Sequence, residues 1–268
     1  VSRRGIVALV VILAVYALAW AAPVLTPYSP TAIDLDHLKQ PPSVEHVMGT
    51  DQKGRDILTR VLHGGRISIS VALIAAGLSM GVGLLVGLTS GYYGGRLDLV
   101  VMALVDLTLS FPSLLLAIGV SLIMPPGIYT VMIAIAAVSW ASFARLIRGH
   151  VLTLREAPFV EAARALGASG PRVMLVHLLP QCLPLSFVMM GLKLGGFILI
   201  EASLSFLGLG PQPPSPSWGA MISSGRAYLV VSPWMVISPG IAIALTALCF
   251  NILGDALADR FGLKGVDR

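Results

Sequence analysis

The chain has 268 residues, 56% of them hydrophobic and only 12% charged, with a mean hydropathy of +0.87. Soluble domains carry about 25% charged residues, so half that proportion excludes a soluble globule. The formal charge of +5 does not describe a nucleic-acid surface either. The basic residues sit at the ends of apolar runs and do not interleave with aromatics, which is the distribution of a membrane protein. Membrane lipid is the expected surroundings, and no nucleic-acid partner is expected.

Crossing about 30 Å of hydrocarbon takes roughly 20 apolar residues, and six runs qualify: about 5–25, 68–90, 98–122, 128–147, 184–206 and 234–254. The predicted fold is an all-α integral membrane protein of about six transmembrane helices. Residues 1–66 read as a first helix followed by an outer segment with an amphipathic helix. Residues 67–268 read as a core of about five helices, with a cytoplasmic loop at about 148–183. The first run follows Arg3 and Arg4, and Ala19-Trp20-Ala21 looks like a signal cleavage site. Its apolar stretch, Ile6 to Ala22, exceeds an h-region of about 7–15 residues, so it is read as a retained helix.

Between the first two runs lies "GTDQKGRDILTRVLHGG". Thr50 or Asp51 can cap a helix here. Ile57, Leu58, Val61 and Leu62 would share one face, Arg55, Thr59, Arg60 and His63 the other, and Gly64-Gly65 would close it. The pattern predicts an interfacial anchor helix; contact with an extracytoplasmic partner through Asp51, Arg55 and Asp56 is the alternative. In the second run Gly83, Gly87 and Gly91 recur every four residues, with a further pair at Gly77 and Gly81, and small residues at this spacing let helix backbones approach closely.

Ionisable groups inside spans are expensive and seldom face lipid. Asp106 in the third run and Lys193 in the fifth fall at matching depth, which makes them a candidate ion pair; either could alternatively line a pathway. Glu201 lies further out, either meeting solute near the outer mouth or bonding locally. Loop 207–233, rich in Pro and Gly, holds Trp218 and Tyr228, aromatics suited to an interface; it is either a surface connector or an outer gate.

Placing the N-terminus inside puts eleven Lys/Arg in the cytoplasm, from Arg3 and Arg4 to Arg260, Lys264 and Arg268, and six outside. That excess supports both termini inside and makes "EAARALGASGPRVMLVHLLP", residues 161–180, cytoplasmic. "VEAARAL" is strong helix-forming sequence. Gly167 suits a left-handed helix end, and Pro171 suits the start of the next helix. A second short helix should follow, ended by Pro180, with Val173, Met174, Val176 and Leu178 available to pack. By itself this is a helix–turn–helix under the membrane.

Glu161-Ala162-Ala163, then Gly167, then Leu179-Pro180 resemble the EAA loop of binding-protein-dependent ABC importer permeases. "GTDQKGRDILTRVLHGGRIS" (49–68) and "EASLSFLGLGPQPPSPSWGAMI" (201–222) resemble the dipeptide/oligopeptide/nickel branch, in its DppC/OppC-like subunit. The resemblance implies half of a translocation pathway shared with a second homologous permease. It also implies two cytosolic ATPases that receive the EAA loop and carry ATP and magnesium, and an extracytoplasmic solute-binding protein. The implied location is a bacterial or archaeal cytoplasmic membrane, and the implied cargo a di- or oligopeptide, with nickel or a metal chelate as the alternative.

The chain has no G-x-x-x-x-G-K-[ST] phosphate loop, so no cofactor or catalytic residue is expected in it. Its five histidines form no compact cluster, so no metal site is expected. An intramembrane Ser/His/Asp or Cys/His enzyme is disfavoured because no His falls within a predicted span. A gradient-driven secondary transporter would need midplane carboxylates and perhaps inverted repeats; Asp106 is the one candidate carboxylate.

Overall fold

The computed structural model describes residues 3–260, and all regular elements among them are helical. Lys264 and Arg268, counted in the charge balance, lie outside this range. Helix α1 is Arg3–Leu25, α2 Ile57–Tyr93, α3 Gly95–Ser110, α4 Ser113–Ser121, α5 Ile128–Leu154 and α6 Pro158–Ala165. The short α7, Gly170–Arg172, runs through a π-turn at Val173–Leu178 into α8, Leu179–Phe206; α9 is Trp218–Gly225 and α10 Trp234–Arg260. Five helices are long and apolar enough to cross a membrane, or six if α3 and α4 together form one bent span. The predicted fold class therefore holds.

Three boundaries differ from the sequence expectation. First, α2 is a single helix of 37 residues, running straight through Gly64-Gly65, so the amphipathic segment and the second span are one rod. Its N-cap is Asp56, whose side chain accepts from the Thr59 N–H at 2.7 Å, not Thr50 or Asp51. Gly64 and Gly65 persist in the helix because Trp218 packs on them: a Cβ on Gly65 would stand 2.8 Å from its ring.

Second, the third span is broken, with α3 and α4 meeting at 97°. Pro112 offers no N–H and pushes the residue before it out of the helical region; Phe111 is accordingly extended, at φ −90° and ψ 144°. Third, Pro180 does not stop a helix. The π-turn ahead of it has the Leu179 N–H donating to the Met174 carbonyl, and this wider register absorbs the proline at the start of α8.

The glycine pattern of α2 is explained by α5. Gly83 lies against Phe143 and Trp140, Gly87 against Ala144 and Ile147, and Gly91 against Val151. Both partners advance four residues at a time, so the helices run parallel with backbones in close approach. Gly77 and Gly81 have nothing within 4 Å and belong to a different, outward face with Ile74, Leu78 and Leu85. On the other side of the bundle α8 meets α10 antiparallel, Gly191 on Gly254 and Gly195 on Ala247 and Asn251.

Candidate functional site

Helix α6 opens with Pro158 in its first turn and buries Val160 and Ala163. These join Val173, Met174, Leu178 and Cys182 in a cluster that continues into Leu84 and Leu88 of α2 and Ile147 and Val151 of α5. Val176, expected to pack, is 56% exposed. The helix ends at Gly167, whose φ of +83° lies in the left-handed region that suits glycine. There the Gly167 N–H donates to the Arg164 carbonyl at 2.9 Å and the Ala168 N–H to the Ala163 carbonyl at 3.0 Å. This is a Schellman closure, and the sequence predicts it. Glu161, Ala162 and Gly167 are exposed, Ala163 is buried, Leu179 half-buried and Pro180 exposed. Leu166 is 89% and Phe159 42% exposed, so the loop presents an apolar tip beside Glu161.

The loop is tied to the C-terminal end of α2. The Arg164 guanidinium sits 5.1 Å from the centre of the Tyr92 ring, and Gly170 packs under Tyr92 and Tyr93. Next to this, Arg148 of α5 grips Asp98 of α3 with two bonds, Nε to Oδ1 at 2.7 Å and Nη2 to Oδ2 at 2.6 Å. The Ser90 hydroxyl of α2 donates to the same carboxylate at 2.5 Å, and Arg155 donates to the Gly91 carbonyl at 3.2 Å. Charge-assisted bidentate bonds of this kind are strong and directional. Sequence inspection misses this three-helix clasp because it joins residues separated by 50 positions.

The expected pairing of Asp106 with Lys193 is corrected. Asp106 bonds to Arg145 of α5, since α3 packs along α5 and α2 and its polar side turns to the nearest basic residue there. The pair is open, with side chains 69% and 51% exposed. Lys193, midway along α8, lines a cavity of about 310 Å³ at the α3–α4 break, together with Thr108, Phe111, Ser113, Ser139 and Ser142.

Glu201 is fully buried, with Oε1 accepting from the Ser205 hydroxyl at 2.7 Å. Its other oxygen is buried without a hydrogen-bond partner. Loop 207–233 folds back into the bundle at this point. Trp218 is 1% exposed, its backbone N–H reaches Ser68 at 3.4 Å, and Gly219 abuts the Ala202 backbone. Trp218 is thus a core residue instead of an interfacial one. The Tyr228 ring does lie near the surface, under the Lys39 ammonium at 5.1 Å.

The segment before α2 forms a cap whose hub is Asp51. Its carboxylate accepts from the backbone N–H of Lys53 and of Arg55 and from Arg55 Nε, at 2.7–3.1 Å; Arg60 stands 3.6 Å away. Asp56 accepts from Thr59 and pairs with His46 at 3.0 Å. Asp51, Arg55, Asp56 and Arg60 are all buried, so the face expected to be polar and open is the inside of this cap. At its rim the Asp34 carboxylate bonds the His37 ring at 2.8 Å, and that bond lowers Asp34 and raises His37 from their ordinary pKa values. His63 and His150 do lie within long helices, near the N-terminal end of α2 and the C-terminal end of α5. Among the described residues, no group of three or more His, Cys, Asp and Glu is placed to hold a metal ion.

A multi-span helical bundle with a Gly-closed, surface-exposed helical loop and a broken span is the architecture of a membrane transport component. The chain belongs to the family described as the binding-protein-dependent transport system inner membrane component, which residues 83–263 match. Residues 2–42 match the N-terminal transmembrane domain of oligopeptide transport permease C. It is 41% identical to the glutathione transport system permease protein GsiD of Pectobacterium atrosepticum, over 94% of this chain and 84% of that one. It is likewise 41% identical to the dipeptide transport system permease protein DppC of Alkalihalophilus pseudofirmus, over 98% and 86%. Its fold is similar to a chain of the MetNI methionine ABC transporter in an inward-facing conformation, with TM-score 0.60 and 18% identity, over 76% of this chain and 97% of that chain. The chain is therefore the non-catalytic membrane subunit of an ABC importer. The family works with ATPase and binding-protein partners.

Proposed function

We propose that this chain forms half of the solute path of a peptide importer and couples it to cytosolic ATPases through α6. The observation that carries the coupling is the two-sidedness of that helix. Val160 and Ala163 anchor it to α2 and α5 through the buried cluster, while Leu166, Phe159 and Glu161 face outward. An exposed apolar tip beside an acidic side chain suits a partner groove. The clasp at Asp98 and Arg148 lies between that groove and the span break, where movement of α6 would be passed on. In this reading the second half of the path is a homologous permease, and two ATPase subunits hold ATP and magnesium. Both termini lie in the cytoplasm of a bacterial or archaeal cell, and the cap over 26–56 faces the solute-binding protein. The glutathione and dipeptide names of the relatives support a peptide cargo over nickel.

The test uses the assembled complex in isolated membranes. Cysteine at the exposed Ala165 should crosslink to an ATPase subunit. Leu166→Glu should insert normally yet lose solute-stimulated ATP hydrolysis. Normal stimulation in Leu166→Glu, with no crosslink from position 165, would reduce α6 to a connector.

A further inference from the structure

The side chains of Asp106 and Arg145 are 69% and 51% exposed, although both stand well within spanning segments. Asp106 is eleven residues past the start of α3 at Gly95, about 16 Å along the helix at 1.5 Å per residue. The level of Arg145 is set by α2, where Gly83 lies against Phe143 and Gly87 against Ala144 and Ile147. At that level the outward side of α2 shows exposed Val82 and Leu85, as a surface that meets hydrocarbon should. Two faces of one bundle therefore differ in chemistry at the same depth. A charge at such depth seldom faces lipid. Long basic side chains can escape by reaching toward an interface, but the short Asp106 has no such reach, and Arg145 turns to it. Both helices also continue polar on this side. Ser110 follows Asp106 at i+4, and Ser142 precedes Arg145 by three residues, spacings that share a helix face. Ser110 is exposed and Ser142 partly so. Ser142 in turn borders the half-open space at the α3–α4 break, with Thr108, Ser113 and Ser139.

We infer, on the solute-path reading given above, that this face of α3 and α5 is a wall of a water-filled path, and that the Asp106–Arg145 pair is a charge-balanced station on it for a zwitterionic solute. The bond between the two uses one carboxylate oxygen and one guanidinium nitrogen. A carboxylate has a second oxygen to accept with, and a guanidinium carries five N–H donors, so the pair keeps bonding capacity for water and solute. A dry contact with lipid or protein would leave those groups unpaired, which is costly. Alone, either charge would hold a counter-ion or one end of a solute. Side by side they leave the wall neutral while offering a carboxylate to an ammonium and a guanidinium to a carboxylate. A peptide with both termini free carries that combination whatever its side chains, so the station is compatible with cargo of varied sequence.

Thiol labelling of the assembled transporter in proteoliposomes, without solute, tests this. Ser110→Cys and Ser142→Cys report on the proposed wall, and Leu85→Cys on the apolar side of α2. The reagents are an anionic sulfonatoethyl and a cationic trimethylammonioethyl methanethiosulfonate. Rates are taken above those of the parent, whose Cys182 and Cys249 are buried. Ser110→Cys and Ser142→Cys should react about tenfold or more faster than Leu85→Cys, because a thiol in apolar surroundings forms little thiolate. In Ser142→Cys, adding Arg145→Gln leaves Asp106 without its counter-charge. The anionic-to-cationic rate ratio should then fall about tenfold or more, the lower end of what a charged cleft does to local ion concentration. Adding Asp106→Asn should raise the ratio by a similar factor, and the two changes together should return it toward the parent value. Lys193 lines the neighbouring space and is present throughout, so only changes in the ratio are read. Ser110→Cys and Ser142→Cys as inert as Leu85→Cys overturn the inference, whether lipid or a dry protein contact covers them. A ratio that neither Arg145→Gln nor Asp106→Asn moves also overturns it. A parent complex that takes up no dialanine overturns the peptide reading instead, and the labelling still decides whether this face meets water.

Discussion

The Trp218 indole N–H donates to the backbone carbonyl of Val61 at 2.8 Å, joining residues 157 positions apart. The ring fills the space left by two missing side chains, lying over Gly64 and Gly65 of α2. Loop 207–233 is thereby pinned to α2, which runs from the cap at its N-terminal end to the end against which α6 packs. Trp218→Ala should cost about 3–5 kcal/mol, the range for removing a large buried aromatic. Trp218→Phe should cost less, because most of the ring is kept. Thermal unfolding of the purified complex measures both; equal midpoints for Trp218→Ala and wild type would show that α9 does not hold the bundle.

The glycines of α2 should divide into two classes. Added side chains at Gly83, Gly87 or Gly91 meet the α5 backbone or its Cβ atoms, and overpacking a tight interface costs about 1–3 kcal/mol. Gly83→Val and Gly87→Val should therefore lower the thermal midpoint, while Gly77→Val and Gly81→Val should leave it nearly unchanged in the isolated chain. Comparable losses at all four sites would place Gly77 and Gly81 in a packed interface too.

The Asp98–Arg148 clasp and the Asp106–Arg145 pair should behave differently. Asp98 and Arg148 have side chains only 16% and 31% exposed, and hydrogen bonds to charged groups contribute about 1.5–3 kcal/mol. Asp98→Asn should destabilise accordingly. In a double-mutant cycle, Asp98→Asn with Arg148→Gln should show coupling of about 0.5–3 kcal/mol. Asp106→Asn, in the more open pair, should cost about 1 kcal/mol or less in detergent. Its effect should couple to that of Arg145→Gln. Simple additivity of Asp106→Asn and Arg145→Gln would show that the pair contributes nothing to stability.

Replacing Gly167 tests the loop closure alone. A left-handed conformation costs an L-residue roughly 1–2 kcal/mol, so Gly167→Ala should loosen the turn without disturbing the bundle, since nothing packs within 4 Å of that site. Hydrogen exchange at the Gly167 and Ala168 amides should accelerate about tenfold or more, the factor that 1.4 kcal/mol represents. Protection equal to wild type would mean that the Schellman bonds survive without glycine.

Composition and local chemistry alone determine most of this architecture. Apolar runs of sufficient length dictate spanning helices because backbone groups in lipid must be satisfied within the segment. The α6 closure is also local: Gly167 and the helix before it specify the turn without help from the rest of the chain. The tertiary structure decided whatever depends on a distant partner. Gly64-Gly65 reads as a helix end in isolation, yet it stays helical because Trp218 supplies packing there. Asp106 and Lys193 match in depth and sign, but depth says nothing about azimuth, and Asp106 meets Arg145 because α3 lies along α5. Within "GTDQKGRD", Thr50, Asp51, Arg55 and Asp56 look solvated in sequence and are buried, since the chain from 26 to 56 folds over them and pairs Asp51 with Arg55 and Asp56 with His46, while Lys53 stays exposed. Periodicity records which residues share a face; only the packed bundle determines what that face meets.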